Sequence, residues 1–230
     1  LIKASYGHAI TDTCPLFYFS DFIVGETTCD GKKKMFELLN DIKPTHVMHL
    51  PQNNLDPKAY PFWADEVRKL KTKIEDFYGI TISEADLRTA IKDCNQERRN
   101  LIGFFELSAL DPSPISGLEQ FNVKEAFGFQ YDVEKKNSEI VNRTREIQDH
   151  WEKNLKGTID TRPRILVTGC PLGGVKEKVL AQIEALGAVI VGYDSCSGIR
   201  THMEMVDEDP SRDPIEAIAE KYLKTNCSVM

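Results

Sequence analysis

Gly25-Glu26-Thr27-Thr28-Cys29-Asp30-Gly31-Lys32-Lys33-Lys34-Met35 is where this chain passes from an apolar run into a helix. The preceding residues 16–24, Leu-Phe-Tyr-Phe-Ser-Asp-Phe-Ile-Val, are aromatic and β-branched and contain a strand. Residues 25–31 form a loop. Residues 32–42 form a helix, with Met35, Leu38, Leu39 and Ile42 on one face. Thr45 to Leu50 is the next strand, closed by Pro51. Strand, helix and strand in that order imply a parallel sheet. The helix opens on Lys32, Lys33 and Lys34, and positive charge at a helix start works against the helix dipole. An anion beside Cys29 is the natural reason for it.

Working outward, the middle of the chain is helical. Phe62 to Tyr78 is one helix, ended by Gly79. Ser83 caps a second, with Asp86 three residues on, and that helix runs to about Leu110. Asp111-Pro112-Ser113-Pro114 breaks it, and Tyr131 to Leu155 is a third, highly charged helix. A second α/β unit follows: strand Arg164 to Thr168, loop Gly169 to Gly174, helix Val175 to Leu186, strand Ala188 to Tyr193, and a last helix from Asp213-Pro214 to about Leu223. The expected fold class is α/β, with two Rossmann-like parallel-sheet domains joined by a helical segment and the functional site between them. The expected boundaries are 1–61 for part of a first α/β domain, 62–158 for the helical connection and 159–230 for part of a second.

The composition is that of an ordinary globular protein, 41% hydrophobic and 28% charged. A net charge of -7 argues against nucleic-acid binding. No apolar run approaches the roughly 20 residues of a membrane span, and the first residues lack the apolar core of a signal peptide. A cytoplasmic protein with no membrane partner is expected. The chain starts at Leu1 and stops at Cys227-Ser228-Val229-Met230, which reads as a piece of a longer polypeptide.

Six cysteines in a reducing compartment are not a disulfide framework. Neither a CxxC nor an HExxH pattern marks a zinc site. In open α/β sheets, ligands bind at the carboxyl ends of the strands. Cys29, Cys170 and Cys196 each follow a strand closely, and Cys14 and Cys227 can fold back to the same edge. Thiolates with helix N-termini aimed at them suit an iron–sulfur cluster. Cys94 sits inside the long helix, and its expected role is that of an inert small hydrophobe.

The stretch Gly25 to Met35 closely resembles the signature of the 2-hydroxyacyl-CoA dehydratase and benzoyl-CoA reductase superfamily. Asp12-Thr13-Cys14-Pro15, Tyr18-Phe19-Ser20-Asp21 and His46-Val47-Met48-His49-Leu50-Pro51 resemble the same region. Thr168-Gly169-Cys170-Pro171, Asp194-Ser195-Cys196-Ser197-Gly198 and Asn226-Cys227-Ser228-Val229-Met230 resemble the double-cubane branch, whose single chain holds two fused iron–sulfur cubanes. The resemblance implies metal ligation by Cys14, Cys29, Cys170, Cys196 and Cys227, with a sixth ligand expected upstream of Leu1. It also implies an ATP-hydrolysing iron–sulfur activator protein as electron donor. Three functions follow. The first is a double-cubane-type reductase of a small molecule, as a homodimer. The second is a subunit of an (R)-2-hydroxyacyl-CoA dehydratase with one 4Fe-4S cluster, as a heterodimer acting on an acyl-CoA. The third is a non-catalytic cluster-bearing electron carrier.

Lys32, Lys33 and Lys34 have three readings that the sequence does not divide: electrostatic support for a cluster or docked activator, a cradle for coenzyme A phosphates, or a solvated helix start. Glu26 and Ser20 are candidates for moving protons, set against hydrogen bonding that fixes the loop. His46 and His49 are three apart in a strand, so they face opposite sides and form no metal pair. Gly169-Cys170-Pro171-Leu172-Gly173-Gly174 matches neither a dinucleotide fingerprint nor a P-loop, and reads as a turn that lets backbone approach a cluster. Phe17, Tyr18, Phe19 and Phe22 read as core.

Overall fold

A computed structural model describes residues 2–196 and 198–225. Both expected strand–helix–strand units are present as short parallel strand pairs set among helices. The elements in chain order are α1 (Ile2–Ile10), α2 (Pro15–Phe19), β1 (Ile23–Glu26), α3 (Asp30–Asn40), β2 (Thr45–Met48), α4 (Ala59–Tyr78), α5 (Glu84–Glu106), α6 (Gly117–Phe129), α7 (Val133–Asn154), β3 (Arg164–Gly169), α8 (Lys176–Ala185), β4 (Val189–Ser195) and α9 (Pro214–Lys224). The chain divides into two compact units. The first holds residues 1–89 and 207–224, the second residues 90–206 and 225–230. These cuts fall elsewhere than the sequence segments 1–61, 62–158 and 159–230.

In the first unit β1 pairs in parallel with β2, from Ile23 opposite Thr45 to Glu26 opposite Met48. Helix α3 crosses between them and buries Met35, Phe36 and Leu39 with Ala9 of α1. The approach is close: a Cβ on Gly25 would lie 2.4 Å from the Phe36 ring, so the strand passes this helix only as glycine. A second apolar patch joins Met48, Trp63, Ala64 and Ala219. Arg68 on α4 ties α9 down through Asp213 at 3.0 Å and Glu216 at 3.3 Å. Gly79, at φ +64°, ends α4 in the left-handed cap that only glycine adopts freely.

The second unit packs α5, α6, α7 and α8 around β3 and β4, with Leu101, Phe104, Phe121, Leu180, Ile190 and Tyr193 fully enclosed. β3 and β4 are parallel, from Arg164 opposite Val189 to Gly169 opposite Ser195, with an irregularity between Ile165 and Leu166. Glu184 of α8 accepts the Gly117 N–H at 2.7 Å, which binds the start of α6.

Three expectations need correction. The aromatic run 16–19 is helix, not strand. Pro15 occupies the first helical position, where its fixed φ suits the helix and its missing N–H is not needed, and the strand starts only at Ile23. That helix leaves Phe19 80% and Tyr18 59% exposed, so half of the expected aromatic core faces outward; Phe17 alone of these packs beside Ala9, Met35, Phe36 and Leu39. Cys94 is exposed rather than buried, on the outer side of α5. Helices α1 and α6 were not foreseen. For α6 the signal was present: Ser116 accepts the Glu119 N–H at 3.1 Å, an S-x-x-E start.

Candidate functional site

The first unit presents its cysteines at helix starts. Cys14 is the N-cap of α2 and Cys29 the N-cap of α3, both in extended backbone, and neither side chain is used as a cap. The chain leaves β1 at Glu26, turns through Thr27 and Thr28, and reaches Cys29 at the carboxyl end of the strand pair. The Cys29 carbonyl accepts the Lys32 N–H at 2.9 Å.

Around this turn the charged groups are answered locally. Thr28 donates to Glu26 Oε1 at 3.0 Å and Lys32 Nζ to the same oxygen at 3.3 Å. Lys34 pairs with Glu37. Ser20 donates its hydroxyl to the Phe17 carbonyl at 3.0 Å, at the end of α2. Glu26 thus bonds within the turn that carries Cys29, and Ser20 within the end of α2. Lys43 crosses from the far end of α3 to the carbonyls of Phe17 and Ser20 and fixes the α2 turn from below.

An open depression of about 350 Å³ lies at the carboxyl edge of β1 and β2, lined by Thr27, Lys33, Glu37, Val47, His49 and Gln52. That edge is where open α/β sheets take ligands. His49 lies one residue past β2, and its N–H donates to Glu66 Oε2 at 2.7 Å. Glu66 is buried. Burial pushes its carboxyl pKa up, but the His49 N–H and Lys69 outweigh it and hold the pKa below the ordinary value. His46 lies within β2 with its Nε2 buried and without a partner among the described residues, and burial lowers its pKa. Sequence reasoning did not single out Glu66. A lone acid in a charged helix carries no signal until the strand it supports is placed.

In the second unit Cys170 and Cys196 are the first residues beyond β3 and β4, whose last paired rung is Gly169 with Ser195. Both are exposed. Gly169 turns the chain at φ +115°, a value that side chains rarely adopt. On the other strand the Gly198 N–H donates to the Ser195 carbonyl at 2.9 Å, and Arg200 Nε donates to Asp194 Oδ1 at 2.7 Å. The Tyr193 and Ser195 hydroxyls are buried without a partner among the described residues, and burial, followed by the charge of Glu184, raises the Tyr193 pKa. Cys227 lies outside the described residues.

The donor chemistry fits a soft thiolate-held cluster. Of the described cysteines, Cys14 and Cys29 fall in the first unit and Cys94, Cys170 and Cys196 in the second. Among the described residues no group of three or more His, Cys, Asp or Glu side chains is gathered for a metal. Among them, too, no helix is long and apolar enough to cross a membrane.

The family described as "2-hydroxyglutaryl-CoA dehydratase, D-component" matches residues 1–230. A protein of Escherichia coli (strain K12) described as "Putative dehydratase subunit YjiM" is 44% identical over 228 residues, 99% of this chain. The chain spans 58% of that relative's length.

Proposed function

The chain belongs to the 2-hydroxyglutaryl-CoA dehydratase D-component family, and on that footing we propose that it is an iron–sulfur protein working as a low-potential reductase. Its electrons come from an ATP-hydrolysing iron–sulfur activator. The observation that supports this most is the position of the cysteines. Cys29 stands at the carboxyl edge of one parallel strand pair, and Cys170 and Cys196 stand together at that edge of the other.

Cys14, Cys29, Cys170 and Cys196, with Cys227, are the proposed ligands of a double-cubane cluster. When bound, such a cluster supplies one-electron chemistry at low potential. The chain's own residues then have separate tasks. Cys14, Cys29, Cys170 and Cys196 give the described donors. Glu26, Thr28 and Lys32 hold the loop that carries Cys29. Asp194, Gly198 and Arg200 hold the loop that carries Cys196. Lys33 and His49 line the depression, where a small-molecule or acyl-CoA substrate would meet a cation and a ring nitrogen. The lysine run as a whole would support negative charge on a cluster or on a docked activator.

A second reading is favoured by the description of the E. coli relative: a dehydratase subunit with one 4Fe-4S cluster, paired with a different subunit. Anaerobic purification of the full-length protein separates the two. The double-cubane reading expects about eight iron atoms per chain and a homodimer, and the subunit reading about four. Dehydration of a 2-hydroxyacyl-CoA only when a second, different subunit is added would establish the subunit. Protein free of iron after anaerobic reconstitution would defeat both.

A further inference from the structure

The parallel ladder of β3 and β4 ends on the rung Gly169–Ser195, and each strand is followed at once by a cysteine. Neighbouring parallel strands stand about 4.8 Å apart. Disulfide-bonded Cα atoms stand about 4.4–6.8 Å apart, so strand spacing itself falls in the range for a bridge. Both cysteines are exposed, and neither is joined in a disulfide.

The Cys196 side is built to stay in place. A tight turn closes from the Gly198 N–H to the Ser195 carbonyl at 2.9 Å. A Cβ on Gly198 would lie 2.2 Å from the Tyr193 carbonyl oxygen, so the turn folds back onto its own strand. Arg200 grips Asp194 of β4 through two guanidinium nitrogens. Cys196 therefore lies between two points of attachment to the strand beside Cys170. Cys94, by contrast, is an exposed residue within α5.

We propose that Cys170 and Cys196 form an oxidisable dithiol, which closes to a disulfide when the metal-free protein meets a soluble disulfide oxidant such as oxidised glutathione. The thiolate of one cysteine attacks a glutathione sulfur, forming a mixed disulfide and expelling one glutathione thiolate. The thiolate of the other attacks the protein-bound sulfur, forms the Cys170–Cys196 bond and expels the second. Two protein thiols give up two electrons and two protons, and one oxidised glutathione becomes two reduced ones. The functional consequence rests on the cluster reading above: one disulfide withdraws two proposed ligands together, so loading of this edge requires a reductant.

The experiment uses the full-length protein, stripped of metal, incubated with oxidised glutathione and mapped by non-reducing peptide mass spectrometry. The expected result is a Cys170–Cys196 cross-link as the dominant new species, reversed by dithiothreitol. In Cys170→Ser and Cys196→Ser the surviving partner retains its glutathione, because the resolving thiol is gone. Two separately glutathionylated cysteines in the unsubstituted chain overturn the proposal, as does unmodified thiol at either position or preferential bridging to another cysteine. No metal takes part in this measurement. A reduced protein that takes up no iron would defeat the proposed function and leave the dithiol result standing.

Discussion

Lys32 Nζ lies 3.3 Å from Glu26 Oε1, across the turn that carries Cys29. The pairing explains how a helix tolerates lysine in its first turn. The carboxylate comes from the end of β1, supplying from outside the helix the negative charge that the dipole favours there. Lys34 finds Glu37 in the same way along the helix. Lys32 and Lys34 are thus matched within the chain, and Lys33 lines the depression beside Glu37 and His49.

A double-mutant cycle on Glu26→Gln and Lys32→Met measures how much that pairing holds the loop. Both side chains are over a third exposed, at 43% and 35%. The expected coupling is therefore about 0.2–1 kcal/mol by urea denaturation, and smaller in high salt. A coupling above about 2 kcal/mol would mean the pair is a structural lock.

Gly198→Ala tests the Cys196 turn. The added methyl would meet the Tyr193 carbonyl oxygen at 2.2 Å and the Ser195 nitrogen at 3.1 Å, and neither backbone atom can swing away. The turn must open, at a stability loss of about 1–3 kcal/mol. Cys196 should label several-fold faster with a thiol reagent. Gly103→Ala in α5 is the control: open space surrounds its Cβ position, and the change should stabilise by about 0.5–1 kcal/mol. Equal effects from the two would dismiss the steric account.

Legibility in the sequence followed how local the signal was. Ser83 and Asp86 announced the start of α5, and the structure has their reciprocal bonds, Asp86 accepting from Ser83 N–H at 2.8 Å and Ser83 Oγ accepting from Asp86 N–H at 3.2 Å. The positions of Cys29, Cys170 and Cys196 just after strands were likewise readable, because strand runs end on visible glycines and polar turns. What failed was the choice between two local structures for one apolar run. Leu16 to Phe19 has strand composition, and only Pro15 at a helix start decided otherwise. The supporting residues were the least legible. Asn95, Glu66 and Glu184 act on backbone groups far along the chain, and composition gives no sign of such contacts.

Acid stability should fall in two steps that trace to neighbouring residues. Burial depresses the His46 pKa below 6.5, so the unfolded chain takes up a proton there before the folded one does. His46 therefore begins to cost stability as pH falls below about 6.5. Glu66 is held below its ordinary 4.5 by the His49 N–H and Lys69, against burial. Its contribution is fully present above 4.5 and is lost as pH falls through the lower folded value. Thermal melts from pH 8 to pH 3 should show both limbs. His46→Gln should flatten the first, and Glu66→Gln the second with a loss of about 1–3 kcal/mol at pH 7. A Glu66→Gln profile parallel to that of the unsubstituted protein would show that the carboxylate charge does not matter.

Asn95 makes the sharpest stability prediction. It is fully buried, donates Nδ2–H to the Val206 carbonyl at 2.7 Å and accepts the Val206 N–H on Oδ1 at 3.0 Å, while Arg98 donates to the same oxygen at 2.9 Å. One amide side chain thereby satisfies both backbone groups of Val206 as a strand neighbour would. Asn95→Ala removes these three bonds and strands the Val206 N–H and carbonyl, a buried donor and a buried acceptor, together. Each stranded group costs about 1–3 kcal/mol, and with relaxation the whole loss should reach about 2–4 kcal/mol. Hydrogen exchange supplies the specific readout: the Val206 amide should lose protection by far more than the global destabilisation explains. If its protection falls only in step with the Leu101 and Phe104 amides, Asn95 supports the core generally, and Val206 has no private anchor.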